Sequence, residues 1–276
     1  MIMNSIDSKI IPVSQLSAKI VQVTNLSNRD RERMFRLMTS YYDSINEAQF
    51  LADLSRKDSV ILLRDSANDM ICGFSTLLTV TANIEGKTVR AVFSGDTVID
   101  KAYWGQRALG KAFLRYLLTG KLKRPFTPLY WLLITKGYKT YLMMANNFAE
   151  YYPRFDKAMP VETRAIMDAF YIALYAESYD PKTGLIDVPN DAGHLKSGVA
   201  GVSQVLIESN PKIAFFQRAN PEWHRGVELA CIARMTFLMP LKYALKSLVL
   251  DSLVKPVCRL LRPAPQLPDE SHRTID

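Results

Sequence analysis

The chain has 276 residues, 48% of them hydrophobic and 22% charged, with a net charge of +8. That length builds one large domain or two small ones around a sizeable core, and the composition excludes wholesale disorder. The positive balance points to anionic partners, and its placement along the chain narrows the choice.

In chain order, "AKIVQVTNL" has strand character over residues 18–23. Ser27 or Asn28 can cap a helix in which Met34, Leu37, Met38 and Tyr41 recur at helical spacing. "NEAQFLADLSRK" predicts a second, shorter helix. "DSVILLRD", "MICGFSTLLTV" and "VRAVFSGDTVI" read as three strands separated by the turns "SAND" and "NIEGKT". Gly95 is a candidate bulge in the third. "YWGQRALGKAFLRYLL" is a helix entered through a tight turn at Gly105, and "TGKLKRPFTP" reads as the loop that leaves it. "LYWLLIT" is a buried strand, and "KGYKTYLMMANNFAEYYP" begins a helix that stops before Pro153. "VETRAIMDAFYIALYAESY" is a further helix, followed by the turn "DPKTG". Residues 189–203 read as loop with a short helix. "PKIAFFQRANP" is a short helix and residues 227–235 a strand. "LKYALKSLVLDSLVKPVCRLL" is a basic amphipathic helix interrupted at Pro256, and the last dozen residues read as disordered.

Strands and helices alternate only from the middle of this series onward, so a doubly wound parallel sheet is not expected. The expected fold class is mixed α/β: a central, mostly antiparallel sheet flanked by helices, with a helical insertion and a C-terminal amphipathic helix. The expected domain runs over residues 1–240, with its core at 18–155, the insertion at 156–224 and a final strand at 227–236. Residues 241–276 hold the amphipathic helix and tail.

The charge is concentrated. Residues 101–149 contain no Asp or Glu and nine bases, among them Arg107, Lys111, Arg115, Lys123, Lys136 and Lys139. A solvated face is the plain reading of such a run. Here, however, Arg107 and Lys111 stand in the first turn of a helix that follows a strand. The leading N–H groups of a helix lack partners and lie at the positive end of its dipole, so an anion stabilises them. Gly110 lets a ligand approach the backbone closely, and Ala112 keeps the next turn thin.

Arg107-Ala108-Leu109-Gly110-Lys111-Ala112 fits R-x-x-G-x-A. At this position the motif resembles the pyrophosphate loop of the Gcn5-related N-acyltransferases, the GNAT superfamily, and the element order over residues 18–155 is similar to that fold. The resemblance implies an acyltransferase whose co-substrate is an acyl-coenzyme A or acyl-carrier-protein thioester held at Gln106, Arg107, Ala108, Gly110, Lys111 and Ala112. It implies that a backbone N–H near Val98 or Ile99 polarises the thioester carbonyl. Asp96, on the strand before the loop, is then the base that deprotonates the amine, and its structural alternative is to cap the bulge at Gly95. The leaving thiolate needs a proton, for which Tyr141 is favoured over Tyr152; core packing is the alternative for either. "NNFAEYYPRF" resembles the family's N-x-x-A-x-x-x-Y-x-x-x-F tail but departs from its Gly-Phe ending. His194 and His224 are the remaining candidate bases.

The three cysteines, Cys72, Cys231 and Cys258, form neither a metal-ligand pair nor a disulfide framework, and there is no H-x-x-x-H. No metal is expected. Without a G-x-S-x-G elbow, the transfer is expected to be direct. The N-terminus lacks the pattern of a signal peptide, and no apolar run reaches spanning length, so the cytoplasm is the expected location. The apolar residues of 160–220 and the helix at 241–262 either pack on the core or serve a fatty chain, with the helix as lid or peripheral membrane contact. A medium- or long-chain donor is therefore expected, and within the superfamily the chain then resembles the acyltransferases that attach fatty acids to amines, among them maturases that acylate Lys or ornithine side chains of ribosomal peptides. The basic run of 101–149 would also suit an acidic acyl carrier protein as the donor. Acetyl transfer is the alternative. A non-enzymatic basic module for nucleic acid or lipid is the reading of another class; the bases form no long stripe, so nucleic acid is not expected.

Overall fold

The computed structural model describes residues 14–188 and 201–239. The chain divides into two units, residues 1–237 and 238–276, and nearly all of the second lies outside the described residues. The amphipathic helix expected at 241–262, the disordered tail and His194 all lie outside them.

The first half follows its sequence closely. Strand β1 (Leu16–Gln22) leads into helix α1 (Asn28–Tyr41). Ser27 caps α1: its hydroxyl accepts the Asp30 N–H at 3.1 Å while the Asp30 carboxylate turns back to the Ser27 N–H. Such a box is worth about 1 kcal/mol. Met34, Leu37 and Met38 form the buried face of α1. Helix α2 (Glu47–Ser55) is capped by Asn46 and buries Phe50 and Leu54. Strand β2 (Ser59–Asp65) is buried along nearly its whole length, as a strand covered on both faces must be. Strands β3 (Ile71–Ile84) and β4 (Lys87–Ile99) form a long hairpin. Its two-residue turn is Glu85-Gly86, both at positive φ, which matches the twist of the flanking strands.

Helix α3 (Ala108–Lys123) runs past the point where the sequence predicts a loop. Two contacts from outside the helix hold its last turn. The Arg90 guanidinium donates to the Gly120 carbonyl at 3.0 Å, and the Lys121 ammonium turns back to the Thr127 carbonyl at 3.0 Å. Strand β5 (Leu129–Thr135) follows. Helix α4 (Tyr138–Ala145) is shorter than expected, because Lys212 donates to the Ala145 carbonyl at 2.8 Å and fixes its C-terminus. Tyr151 and Tyr152, expected in that helix, form β6 (Tyr151–Tyr152) instead.

Helix α5 (Val161–Tyr175) is followed by a small hairpin, β7 (Tyr179–Asp180) and β8 (Leu185–Ile186), where the sequence shows only a turn. Helices α6 (Gln204–Ser209) and α7 (Pro211–Ala219) precede β9 (Glu228–Arg234).

The strands make one mixed sheet in the order β1-β2-β3-β4-β5-β9-β8-β7, with β6 on β9. Every pairing is antiparallel except β4 with β5. The fold class is the expected one: mixed α/β, an open, mostly antiparallel sheet flanked by helices. One core cluster joins α1 and α2 to β2, Phe74 and Val98. Another joins α5 to β4, β5 and β9 through Met167, Phe170 and Tyr171. The Tyr171 hydroxyl lies 2.7 Å from the Cys231 carbonyl and 3.0 Å from the Leu133 N–H, so it bridges β5 and β9.

Candidate active site

The site is built around an interruption in β4. Opposite Thr76 of β3 stand two residues of β4, Gly95 and Asp96: the register runs Leu77 to Ser94 on one side and Ser75 to Thr97 on the other. That is a bulge, and Gly95 is required there. A Cβ on it would meet the Thr76 hydroxyl at 2.6 Å and Lys57 Cε at 3.2 Å.

The bulge coincides with the place where β4 leaves β5. Their parallel pairing ends at Ser94 and Leu133, while β4 runs on to Ile99 with only β3 beside it. Alternation then decides which amides face the gap. Before the bulge, Arg90 donates toward β5, to the Pro128 carbonyl; after it, Asp100 donates toward β3, to the Cys72 carbonyl. Val98, two residues before Asp100 and opposite Phe74, therefore belongs to the β3 ladder. The N–H groups of Thr97 and Ile99 face the gap. Of the two amides the sequence suggested, the Ile99 N–H faces the gap and the Val98 N–H faces β3, because the extra residue of the bulge reverses the alternation. Thr97 takes the other place.

Asp96 is half-buried and surrounded by titratable groups from five elements. Burial raises its pKa most; Lys57, just after α2, and Lys136, just after β5, oppose that rise, while Glu228 of β9 and Asp53 of α2 add to it. The Lys136 ammonium is 3.4 Å from Glu228. Lys57 lies over the Phe93 ring at 5.1 Å, and burial lowers its pKa. Tyr42, next to the end of α1, and Tyr175 of α5 complete the ring around Asp96; burial first, then these carboxylates, push both phenols upward. A carboxyl with a raised pKa can take a proton from an ammonium near neutral pH. Sequence reasoning singled out Asp96 but not its neighbours Lys57, Glu228, Lys136, Tyr42 and Asp53. Their separation along the chain leaves no local signal. Thr97 was legible from the bulge and period 2.

One loop further on, Gly105 at φ +88° turns the chain into α3. The first backbone bond of the helix runs from Lys111 N–H to Arg107 C=O, so the N–H groups of Ala108, Leu109 and Gly110 have no intrahelical partner. Arg107 stands at the cap and Lys111 is exposed in the first turn. Ala112 is half-buried beside the ridge of Leu109, Phe113 and Leu117. The Lys139 ammonium sits 3.9 Å over the Trp104 ring, and partial burial followed by repulsion from Lys101 lowers its pKa. Positive charge therefore gathers at this turn from the loop and from α4. Gln106 has different work. Its side-chain amide accepts the Leu16 N–H at 2.8 Å and donates to the Ser14 carbonyl at 3.0 Å, so it ties the loop to β1.

The proposed proton donors are placed in the core. Tyr141 is fully buried, donates its hydroxyl to the Pro153 carbonyl at 3.0 Å, and packs against Tyr151, Phe215 and Phe216. Burial drives its pKa far upward, so it is a poor source of protons. Tyr152 is buried in β6 against β9. Both pack in the core, the alternative that the sequence offered for either. His224 is exposed in a turn before β9, edge-on to Trp223. No group of three His, Cys, Asp or Glu suited to a metal occurs among the described residues. No helix among them is long and apolar enough to cross a membrane.

No family model and no curated protein matches the chain. Solved structures do resemble it. One is a conserved protein of unknown function from Enterococcus faecalis V583, a probable N-acyltransferase, at TM-score 0.37 and 12% identity over 49% of this chain and 33% of that one. Another is a ribosomal-protein-alanine N-acetyltransferase from Brucella melitensis biovar Abortus 2308, at TM-score 0.38 and 15% identity over 53% and 97%. A third is Saccharomyces cerevisiae N-myristoyltransferase with bound myristoyl-CoA, at TM-score 0.33 and 14% identity over 45% and 30%. This chain thus spans about a third of the first and third of these proteins, and each likeness involves about half of this chain.

Proposed function

We propose that the chain is an N-acyltransferase of the GNAT type that moves an acyl group from a coenzyme A thioester directly to an amine. The observation that carries the proposal is the coincidence at β4: a bulge bearing Asp96, two amides facing an open gap, and a helix N-terminus one loop later. In this reading the diphosphate of the donor sits at the N–H groups of Ala108, Leu109 and Gly110, with Arg107 and Lys111 beside it. The thioester enters the gap between β4 and β5.

The acceptor arrives as an ammonium on the face that holds Asp53, Asp96 and Glu228. Asp96 removes one proton, and the free amine attacks the thioester carbonyl. A C–N bond forms, the oxyanion rests on the Thr97 and Ile99 amides, and the C–S bond then breaks. The second proton on nitrogen passes to the departing thiolate. No covalent enzyme intermediate and no metal enter these steps.

A medium- or long-chain donor remains part of the proposal, supported by the apolar character of residues 241–262. Acetyl is the second reading, favoured by a specific observation: Met167, Phe170, Tyr171 and Phe216 of the 160–220 segment are buried in the core. Carrier-protein donors, peptide acceptors and contact with a membrane surface are further forms of the same proposal. Competition kinetics with acetyl-, octanoyl- and palmitoyl-coenzyme A test it. A buried methylene is worth about 0.8 kcal/mol, roughly fourfold in kcat/KM. A rise with length supports a long-chain donor, a fall supports acetyl, and no transfer from any thioester to any amine refutes the enzyme.

A further inference from the structure

A second basic feature lies away from the bulge. On the α3 side of the sheet, a cavity of about 290 Å³ opens between the outer half of α3 and the β1, β3 and β4 strands. Its floor is Ile20 and Val92, and its rim carries Arg90, Arg115 and Lys123 with the hydroxyls of Thr79, Tyr116 and Thr119. The Thr79 and Tyr116 hydroxyls lie 3.2 Å apart, which fixes the ring of Tyr116 against β3. Arg90 is anchored from behind by its bond to the Gly120 carbonyl, so its guanidinium keeps further N–H groups for the cavity.

The charge there is unbalanced. Neither β1, β3 nor α3 contains a single acid, and β4 contains only Asp96, which stands with Lys57 and Glu228 on the other side of the sheet. The one carboxylate bonded to a lining residue among the described residues is that of Asp58, which accepts the Thr79 N–H at 2.6 Å and leaves the three bases in excess. Among the described residues, Arg90, Arg115 and Lys123 make no ion pair. Three cations lining one cavity with Ile20 and Val92 fit one kind of molecule. The cavity begins further along α3 than the donor loop: Arg107 and Arg115, its nearest lining residue, are eight residues apart, about 12 Å.

We infer that this cavity binds a small organic anion, a carboxylate or phosphate monoester with a short apolar tail, held head-on by Arg90, Arg115 and Lys123 with its tail on Ile20 and Val92. The inference does not depend on the proposed acyl transfer.

Titration calorimetry of the full chain with octyl phosphate tests it, with inorganic phosphate and phosphatidylglycerol vesicles as parallel probes. The expected result is saturable binding at one site, weakened by salt and at least about tenfold weaker in Arg115→Ser/Lys123→Ser, since charge-assisted bonds to two exposed side chains are lost. Both positions are exposed, so the fold tolerates the change. Gly110→Glu, at the donor loop, should weaken this affinity far less than the double variant does. Vesicles that displace octyl phosphate would identify a lipid as the source of the anion. Absence of saturable binding, equal affinity in the double variant, or loss only in Gly110→Glu would overturn the inference. Binding of vesicles without octyl phosphate would show a charged surface and no pocket. Equal affinity for inorganic phosphate would remove the apolar tail from the proposal.

Discussion

The two faces of the sheet differ in how they treat charge. On the α3 side, bases stand at the helix start and around the cavity at its far end, without an acid in α3, α4 or β5. On the side of α1, α2 and α5, three carboxylates and two ammonium groups are interleaved around the bulge. A helix and a cavity that carry bases without acids of their own suit ligands that bring negative charge. An interleaved cluster suits a group that must give up a proton, because each neighbour sets how strongly Asp96 holds one. The difference teaches that the +8 of the chain is a poor guide to its chemistry; separation of charge by the sheet is the better one.

The largest expected effect comes from placing an acid on the basic face. Gly110→Glu puts a carboxylate where the diphosphate is proposed to sit. Two like charges about 4 Å apart repel by about 4 kcal/mol, or roughly 10³-fold in affinity. Glu in a first turn suits the helix dipole, so circular dichroism should be unchanged. Calorimetry with coenzyme A checks this, and undiminished affinity would remove the phosphate-loop assignment.

Next comes the interleaved face. Asp96→Asn should keep donor affinity and lower turnover by about 10²-fold or more. It should also act on stability in the opposite sense. A carboxyl whose folded pKa is raised binds its proton more tightly in the native state, so it lowers stability progressively as pH rises from the unfolded value through the folded one. Asp96→Asn should therefore melt higher than the parent at neutral pH, and the gain should shrink in acid. A variant that is slower but no more stable at neutral pH would mean that Asp96 is not held against its charge.

A smaller change should follow from Lys57→Met. The ammonium opposes the rise in the Asp96 pKa, so its removal shifts the acidic limb of kcat/KM to higher pH, and Lys57→Arg restores it. Turnover well above that limb should be almost unaffected. A limb that stays in place in Lys57→Met would take Lys57 out of the cluster. The smallest effect belongs to Tyr141→Phe, which deletes one bond to the Pro153 carbonyl. It should cost about 1 kcal/mol in denaturant melts and leave kcat alone. A fall in kcat of about 10²-fold would return Tyr141 to the proton-donor role.

The two faces were unequally legible in sequence. Most of what builds the basic face is contiguous: the acid-free run, Gly105 and R-x-x-G-x-A all lie within one stretch of chain. The bulge at Gly95 and the candidate base beside it were also visible. The partners of Asp96 were not, since Lys57, Lys136 and Glu228 come from three distant segments that only the sheet order brings together. The same limit explains the shorter helix after β5. Its end is fixed by Lys212, more than sixty residues downstream, and no local propensity encodes that. Tyrosine was the least informative residue type, because Tyr141, Tyr152 and Tyr171 all serve packing and backbone bridging.

Gln106 carries a consequence of its own. Its carboxamide reproduces the donor and acceptor of a peptide unit and so continues the sheet beyond β1 by one pair, using a side chain drawn from the turn that precedes α3. A ligand that stiffens the turn should therefore be felt at the outermost strand. The Leu16 amide becomes a reporter: its hydrogen exchange should slow when the turn is occupied and quicken in Gln106→Ala, while amides in the middle of β2 keep their rate.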